Sequence, residues 1–112
     1  MKWGIRISHD AKQDLKEIYK YIRGEKTNTH AAERTLKSIL KNIRTLEEMP
    51  YRNPQYEEEP WYSKGLRLIK AGKYLIFYLP NEEDKKVLIY RIIYSGRNVK
   101  KKLDRMLIFA CA

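Results

Sequence analysis

Tyr74-Leu75-Ile76-Phe77-Tyr78-Leu79 and Val87-Leu88-Ile89-Tyr90-Arg91-Ile92-Ile93-Tyr94 are apolar at almost every position. A strand with one solvated face alternates apolar and polar residues, whereas one buried on both faces reads as a continuous apolar run. These two segments are therefore expected at the centre of a sheet. Working outward, the strands are predicted over Leu66 to Lys70, Tyr74 to Leu79 and Lys86 to Tyr94. Ala71-Gly72 and Pro80 to Lys85 separate them, which makes two hairpins.

Upstream, Trp3, Ile5 and Ile7 alternate with Gly4, Arg6 and Ser8, the period-two pattern of a half-buried first strand. Ser8 offers a side-chain oxygen to the free amides of a following helix, and Asp10 adds negative charge to its first turn. In that helix Ala11, Leu15, Ile18, Tyr19 and Ile22 share one face, and Gly24 is expected to end it. The polar connection Glu25 to Asn28 is short, so a second helix from about His30 to Glu48 should return beside the first as an αα-hairpin. Ala32, Leu36, Ile39, Ile43 and Leu46 form its inward face, and Pro50 prevents its continuation. The outer face carries Glu33, Arg34, Lys37, Lys41 and Arg44, which reads as a solvated surface.

Pro50 to Pro60 holds three prolines and the run Glu57-Glu58-Glu59, excluding a central strand or a regular helix; it is predicted to be a loop. Asn98 to Met106 suits a short helix in which Val99 and Leu103 share a side. The tail Leu107 to Ala112 is apolar and too short to span a membrane. A helix layer covers only one face of such a sheet, so the other requires the C-terminal segment, a partner chain or a target. The fold class is α+β, in one domain over residues 1–112.

Composition narrows the function classes. There is no long apolar run and no signal-peptide pattern, so a cytoplasmic protein without membrane contact is expected. Cys111 is the single cysteine, and His9 and His30 are the two histidines; no disulfide, metal site or cofactor is expected. The net charge of +10 is uneven: residues 1–60 carry 12 Lys/Arg against 10 Asp/Glu, residues 61–112 carry 12 against 4. The second half is thus suited to an acidic partner, nucleic acid or protein. No phosphate-binding glycine loop, Ser/His/Asp set or dinucleotide fingerprint occurs.

What remains is a set of cations and tyrosines on the second-half strands and beyond: Arg67, Lys70, Lys73, Tyr74, Tyr78, Arg91, Tyr94, Arg97, Lys100, Lys101 and Lys102. Cations hold phosphates, while tyrosine supplies a ring for stacking and a hydroxyl for proton transfer, so these types suffice for metal-free RNA cleavage. Aromatic residues also suit strands, which places such tyrosines equally well in the core. Arg91 is the sharpest anomaly, because a charge within a buried strand is paired or faces water. Two readings stand: a bridge to an acid such as Glu47 or Glu48, or a polar groove on the uncovered face.

The order of elements resembles the ParE and RelE toxin superfamily, and particular residues carry the likeness. Ala11 with Asp14-Leu15 and Ile18-Tyr19-Tyr21-Ile22 is similar to the family's first helix, Gly65-Leu66-Arg67 to its entry into the second strand, and Gly72-Lys73-Tyr74-Leu75-Ile76-Phe77-Tyr78 to its third strand. Ile92-Ile93-Tyr94-Ser95-Gly96-Arg97-Asn98, with Leu103 behind it, resembles the closing motif. The tail from Met106 lies outside the resemblance. It implies a bacterial growth-inhibiting toxin of a type II toxin-antitoxin system, bound and neutralised by a cognate acidic antitoxin, with a homo-oligomer or a hetero-oligomer with that antitoxin as the expected assembly.

RelE-like members cut messenger RNA on the ribosome, and ParE-like members poison DNA gyrase. RelE-like nucleases typically carry an arginine where this chain has Tyr74, and often a Tyr or His near Leu103. Both are absent, and Arg97 alone matches a cation of the nuclease pattern, so the resemblance implies the ParE-like branch, without turnover. Its target- or antitoxin-binding residues would be Arg67, Lys70, Lys73, Arg91, Arg97, Lys100 and Lys101. In the endoribonuclease alternative, Arg97 and Lys73 hold the phosphate while Tyr94 or Tyr74 supplies acid-base chemistry. A third reading is a non-toxic basic nucleic-acid-binding module.

Overall fold

The structure is a computed structural model that describes residues 2–25, 29–96, 99 and 103. Its elements run β1 (Gly4–Ile7), α1 (His9–Glu25), α2 (Thr29–Thr45), α3 (Trp61–Lys64), β2 (Arg67–Ala71), β3 (Tyr74–Asn81) and β4 (Lys86–Tyr94). The sheet order is β1-β4-β3-β2, so the two continuous apolar runs are the two central strands. β2, β3 and β4 pair antiparallel, and β1 lies parallel beside β4 with Ile5 opposite Val87. Gly72-Lys73 is the two-residue turn between β2 and β3, with Gly72 at φ 60°, a conformation that glycine adopts without a Cβ clash.

Ser8 caps α1 as its sequence position suggests: its Oγ accepts the Ala11 amide at 3.0 Å. The same hydroxyl donates to the Tyr90 carbonyl at 2.8 Å, and the Ser8 amide donates to the Ile89 carbonyl at 3.0 Å. The start of α1 is thereby tied to the middle of β4. Two boundaries differ from the sequence expectation. Gly24 lies inside α1, one residue before its end. Thr45 ends α2 well before Pro50, and the chain turns through Met49 at φ 52°. Leu46 is still fully buried.

The core has two halves, one on each face of the sheet. On the helix side Ile76, Tyr78, Val87, Ile89 and Ile92 pack with Ala11, Ile39, Ile43 and Leu46. On the other side Leu66, Phe77, Tyr90, Ile93 and Leu103 surround Trp61, which is 2% exposed. The second face is therefore covered from within the chain. Leu103 supplies part of the cover, as the C-terminal option required, and among the described residues the proline-rich segment and α3, which sequence reasoning had left without a packing role, supply the rest.

That segment is a loop held as a ribbon beside β2. The Tyr56 amide donates to the Leu66 carbonyl at 2.8 Å and the Leu68 amide to the Pro54 carbonyl at 3.2 Å. It delivers Tyr56 edge-on to Phe77, with ring centroids 5.5 Å apart, and Trp61 against Tyr90 at 5.3 Å. Gly65, at φ 86°, closes α3: its amide donates to the Tyr62 carbonyl and the Leu66 amide to the Trp61 carbonyl, each at 3.1 Å. Val99 and Leu103 are helical and meet this second cluster; the rest of the predicted C-terminal helix, and the tail, lie outside the described residues.

Trp61 is thus the keystone of the second face. Trp61→Ala is expected to lower unfolding free energy by ~3–5 kcal/mol, the range for deleting a large buried aromatic, and urea denaturation followed by circular dichroism measures it.

Candidate functional site

A cleft of about 820 Å³ opens between the helix pair and one end of the sheet. α1 contributes Asp14, Glu17, Ile18, Tyr21 and Ile22, and α2 contributes Ala31, Arg34, Thr35 and Ser38. The β2–β3 turn and the strand ends bring Ala71, Gly72, Lys73, Tyr74, Ile92 and Tyr94. Its size falls within the range of ligand and peptide sites, and its walls mix aromatic rings with a few charges.

Its floor rests on Arg91. The Arg91 guanidinium meets Asp14 of α1 in a two-pronged pair, Nε to Oδ2 at 2.8 Å and Nη2 to Oδ1 at 2.8 Å. Asp14 Oδ2 also accepts the Ile92 amide at 2.9 Å. The two side chains are 14% and 7% exposed, so this is a nearly buried ion pair with three donors on one carboxylate. Hydrogen bonding to Asp14 raises the arginine's pKa, with burial working against it, so Arg91 stays charged.

A β-bulge makes the pair possible. Phe77 pairs with Arg91 while Tyr78 pairs with Ile89, leaving Tyr90 as an extra residue in β4. The bulge breaks the alternation and lets Arg91 and Ile92 both address the helix side. The acid that Arg91 meets is thus Asp14, not Glu47 or Glu48; Glu47 lies 3.8 Å from Lys2. Nor does Arg91 open a polar groove on the other face, because that face is filled by Trp61 and Phe77.

The remaining candidate residues separate into groups. Lys73, Tyr74 and Tyr94 come together on the cleft wall, the tyrosine rings edge-to-face with centroids 5.7 Å apart. Arg67 stands apart: it donates to the Tyr51 and Asn53 carbonyls and lies 5.1 Å from the Tyr51 ring, fastening the proline-rich segment. Lys70 is exposed on β2 and does not line the cleft. Arg97, Lys100, Lys101 and Lys102 lie outside the described residues.

Tyr78 is removed from surface chemistry altogether. It is fully buried and donates its hydroxyl to the Pro50 carbonyl at 2.7 Å. Burial raises its pKa above the ordinary 10.0, more than the Asn53 hydrogen bond and the nearby arginines lower it. Of the strand tyrosines whose chemistry suits RNA cleavage, Tyr74 and Tyr94 reach the cleft, whereas Tyr78 lies beneath the helices.

Glu17, Tyr21 and Arg34 also line the cleft, and of these Arg34 belongs to the α2 face that reads as solvated in the sequence. The signal that would have found the floor is Asp14 itself. It sits three residues after Ala11 and four before Ile18, an acid beside the buried stripe of α1, as Arg91 is a base inside a buried strand. Two opposite charges misplaced in this way make a pair the economical solution.

A family model described as the ParE toxin of the type II toxin-antitoxin system parDE matches residues 5–99. No curated protein matches the sequence. Among solved structures, the chain is similar to one in the toxin-antitoxin complex RelBE2 of Mycobacterium tuberculosis, at 19% identity over 84% of this chain and 99% of that one, with TM-score 0.64. A chain of the chromosomal ParDE system of P. aeruginosa matches at 18% identity, covering 83% and 96%, with TM-score 0.65. A chain of the archaeal RelE-RelB complex of Pyrococcus horikoshii matches at 18% identity, covering 87% and 99%, with TM-score 0.59. At these identities the structural likeness is one of fold.

Two outcomes follow from the site. Asp14→Ala, which strands a buried guanidinium, should cost ~3–5 kcal/mol, and adding Arg91→Met should recover part of that loss; chemical denaturation of both variants measures it. Tyr78→Phe should weaken the fold by about 1 kcal/mol at neutral pH through the lost hydrogen bond. Because the folded pKa of Tyr78 is raised, its contribution is present below pH 10.0 and lost as pH climbs through the folded value. Stability of Tyr78→Phe should therefore fall less steeply above pH 10.0 than that of the parent, read from denaturation midpoints across that range.

Proposed function

The chain belongs to the ParE toxin family of type II toxin-antitoxin systems, and from that premise we propose that it arrests growth by binding and inhibiting DNA gyrase, and that a cognate acidic antitoxin neutralises it. The observation that carries the gyrase reading is Tyr74. Its position, where RelE-like nucleases typically carry an arginine, is occupied by a ring packed edge-on against Tyr94. Arg91, the described arginine within the neighbouring strand, is engaged with Asp14 at the cleft floor. A binding toxin needs shape and complementary charge, not a poised base, and the cleft offers three tyrosine rings with Arg34 and Lys73 beside them. The +10 charge favours fast encounter with an acidic antitoxin, and the toxin-antitoxin systems among the structural relatives support an antitoxin partner.

One observation favours a second reading. Lys73, Tyr74 and Tyr94 share a wall, so a ribosome-dependent nuclease would have a cation and two hydroxyls within one site.

Purified protein is expected to inhibit gyrase supercoiling in vitro and to leave messenger RNA intact in a translation extract. Expression without the antitoxin should halt replication before translation falls. Rapid cleavage of ribosome-bound messenger with normal supercoiling would establish the nuclease reading instead. Normal growth at verified soluble expression, with neither activity, would leave a basic nucleic-acid-binding module.

A further inference from the structure

Gly96 is a glycine that its backbone does not require. The glycines with positive φ are Gly65 and Gly72, at 86° and 60°, where turns demand it. Gly96 is not among them, and what it provides is space. A Cβ built there would lie 2.7 Å from Cε1, 3.3 Å from Cδ1 and 3.5 Å from Cζ of Tyr94. The phenol ring thus lies directly across the Gly96 backbone, and any larger residue would displace it.

The opposite side of the arrangement is equally defined. Tyr94 is the last residue of β4, paired with Tyr74 in register, and the Ser95 amide donates to the Lys73 carbonyl at 2.9 Å to extend the ladder by one rung. Tyr74 meets the Tyr94 ring at an interplanar angle of 61°. A ring held this way loses little conformational freedom on binding, yet Tyr94 is 40% exposed and opens on the cleft, as does Tyr21, 53% exposed on α1. Rigid, accessible tyrosines are the residue type that concentrates binding energy.

The surroundings select the occupant. Ile18, Ile22 and Ile92 make the cleft apolar below the rings. Arg34 and Lys73 line it outside any ion pair of the described residues, whereas the charge of Asp14 is already matched by Arg91, leaving Glu17 as the one other carboxylate in the lining. Local charge is therefore slightly positive, in a chain of net charge +10. A polyphosphate would meet Glu17 with only two cations, so the balance suits a peptide better than a nucleic acid.

We propose that Tyr94 is the specificity-determining contact of the cleft, that Gly96 is the positioning residue that holds its ring there, and that the occupant is a peptide segment carrying apolar side chains next to carboxylates. This rests on the reading of the cleft as a protein-binding site, and it is tested on purified protein without reference to toxicity. Synthetic peptides alternating leucine with glutamate, leucine with lysine, and serine with glutamate are titrated into the protein, as is oligothymidylate. Nuclear magnetic resonance follows the Gly96 amide and the Tyr94 and Tyr74 ring signals.

The leucine–glutamate peptide should shift these signals saturably and bind more tightly than the other peptides. Tyr94→Phe should bind nearly as the parent does, and Tyr94→Ala about tenfold more weakly, as for loss of an anchoring aromatic. Gly96→Ala needs no unusual φ, so it should fold, move the Tyr94 ring signals and weaken binding comparably. In the double variant Gly96→Ala/Tyr94→Ala the first substitution should add nothing to the second, since Gly96 acts through Tyr94. Equal binding of the lysine peptide, tighter binding of oligothymidylate at the same signals, parent-like affinity in Tyr94→Ala, or additive effects in the double variant would each overturn the proposal. Growth arrest by the parent protein tests the toxin reading separately, so failure of one is distinguishable from failure of the other.

Discussion

One carboxylate joins the two layers of this fold. Asp14 receives two bonds from the Arg91 guanidinium and one from the Ile92 backbone, so a single side chain on α1 fixes the strand beneath it in position, rotation and register. The strand bulges at this point, and the inserted residue, Tyr90, meets Trp61 on the opposite face. Charge pairing on one side of the bulge thus stands opposite aromatic packing on the other. Such a pair contributes little net stability compared with apolar residues of the same volume. Its value is directional, since apolar contacts alone would let α1 slide along the sheet, whereas a forked ion pair with a third donor admits one placement.

That placement creates the cleft. With α1 fixed over β4, both helices and the β2–β3 turn border one cleft. Tyr21 and Arg34 then face Lys73, Tyr74 and Tyr94 across a common space. None of these side chains is unusual in its own element: each sits at an exposed or half-exposed position where a tyrosine or a cation costs little. Their convergence is a property of the layer geometry.

The second face shows a different economy. A sheet whose central strands are apolar on both sides needs two covers, and among the described residues the helix hairpin covers one of the two faces. The proline-rich segment solves the problem with little regular structure. Proline removes amide donors, so fewer backbone groups remain to be satisfied, and of those that remain the Tyr56 amide and the Pro54 carbonyl pair with Leu66 and Leu68 at the start of β2. Arg67 secures the far end through carbonyl bonds and the Tyr51 ring. A cation that in composition looks available for an acidic partner is instead a fastener for a loop.

Period and punctuation along the chain determined the elements and their class: the half-buried first strand, the Ser8-capped helix, the returning helix, and the three antiparallel strands with the two apolar runs at the centre. These are local properties, because side-chain period and turn chemistry depend on residues only a few positions apart. The family resemblance was legible in the same way, in the spacing of short motifs. The partner of Arg91, the bulge, the parallel docking of β1 on β4, the role of Trp61 and the sorting of tyrosines into cleft and core were decided by tertiary structure alone. Each joins groups far apart in sequence, and Asp14 and Arg91 are separated by 77 positions. A residue's own neighbours carry no record of what lies across from it, so Tyr74 and Tyr78, identical in type and on the same face of one strand, could be told apart only when the helices were laid over one and not the other.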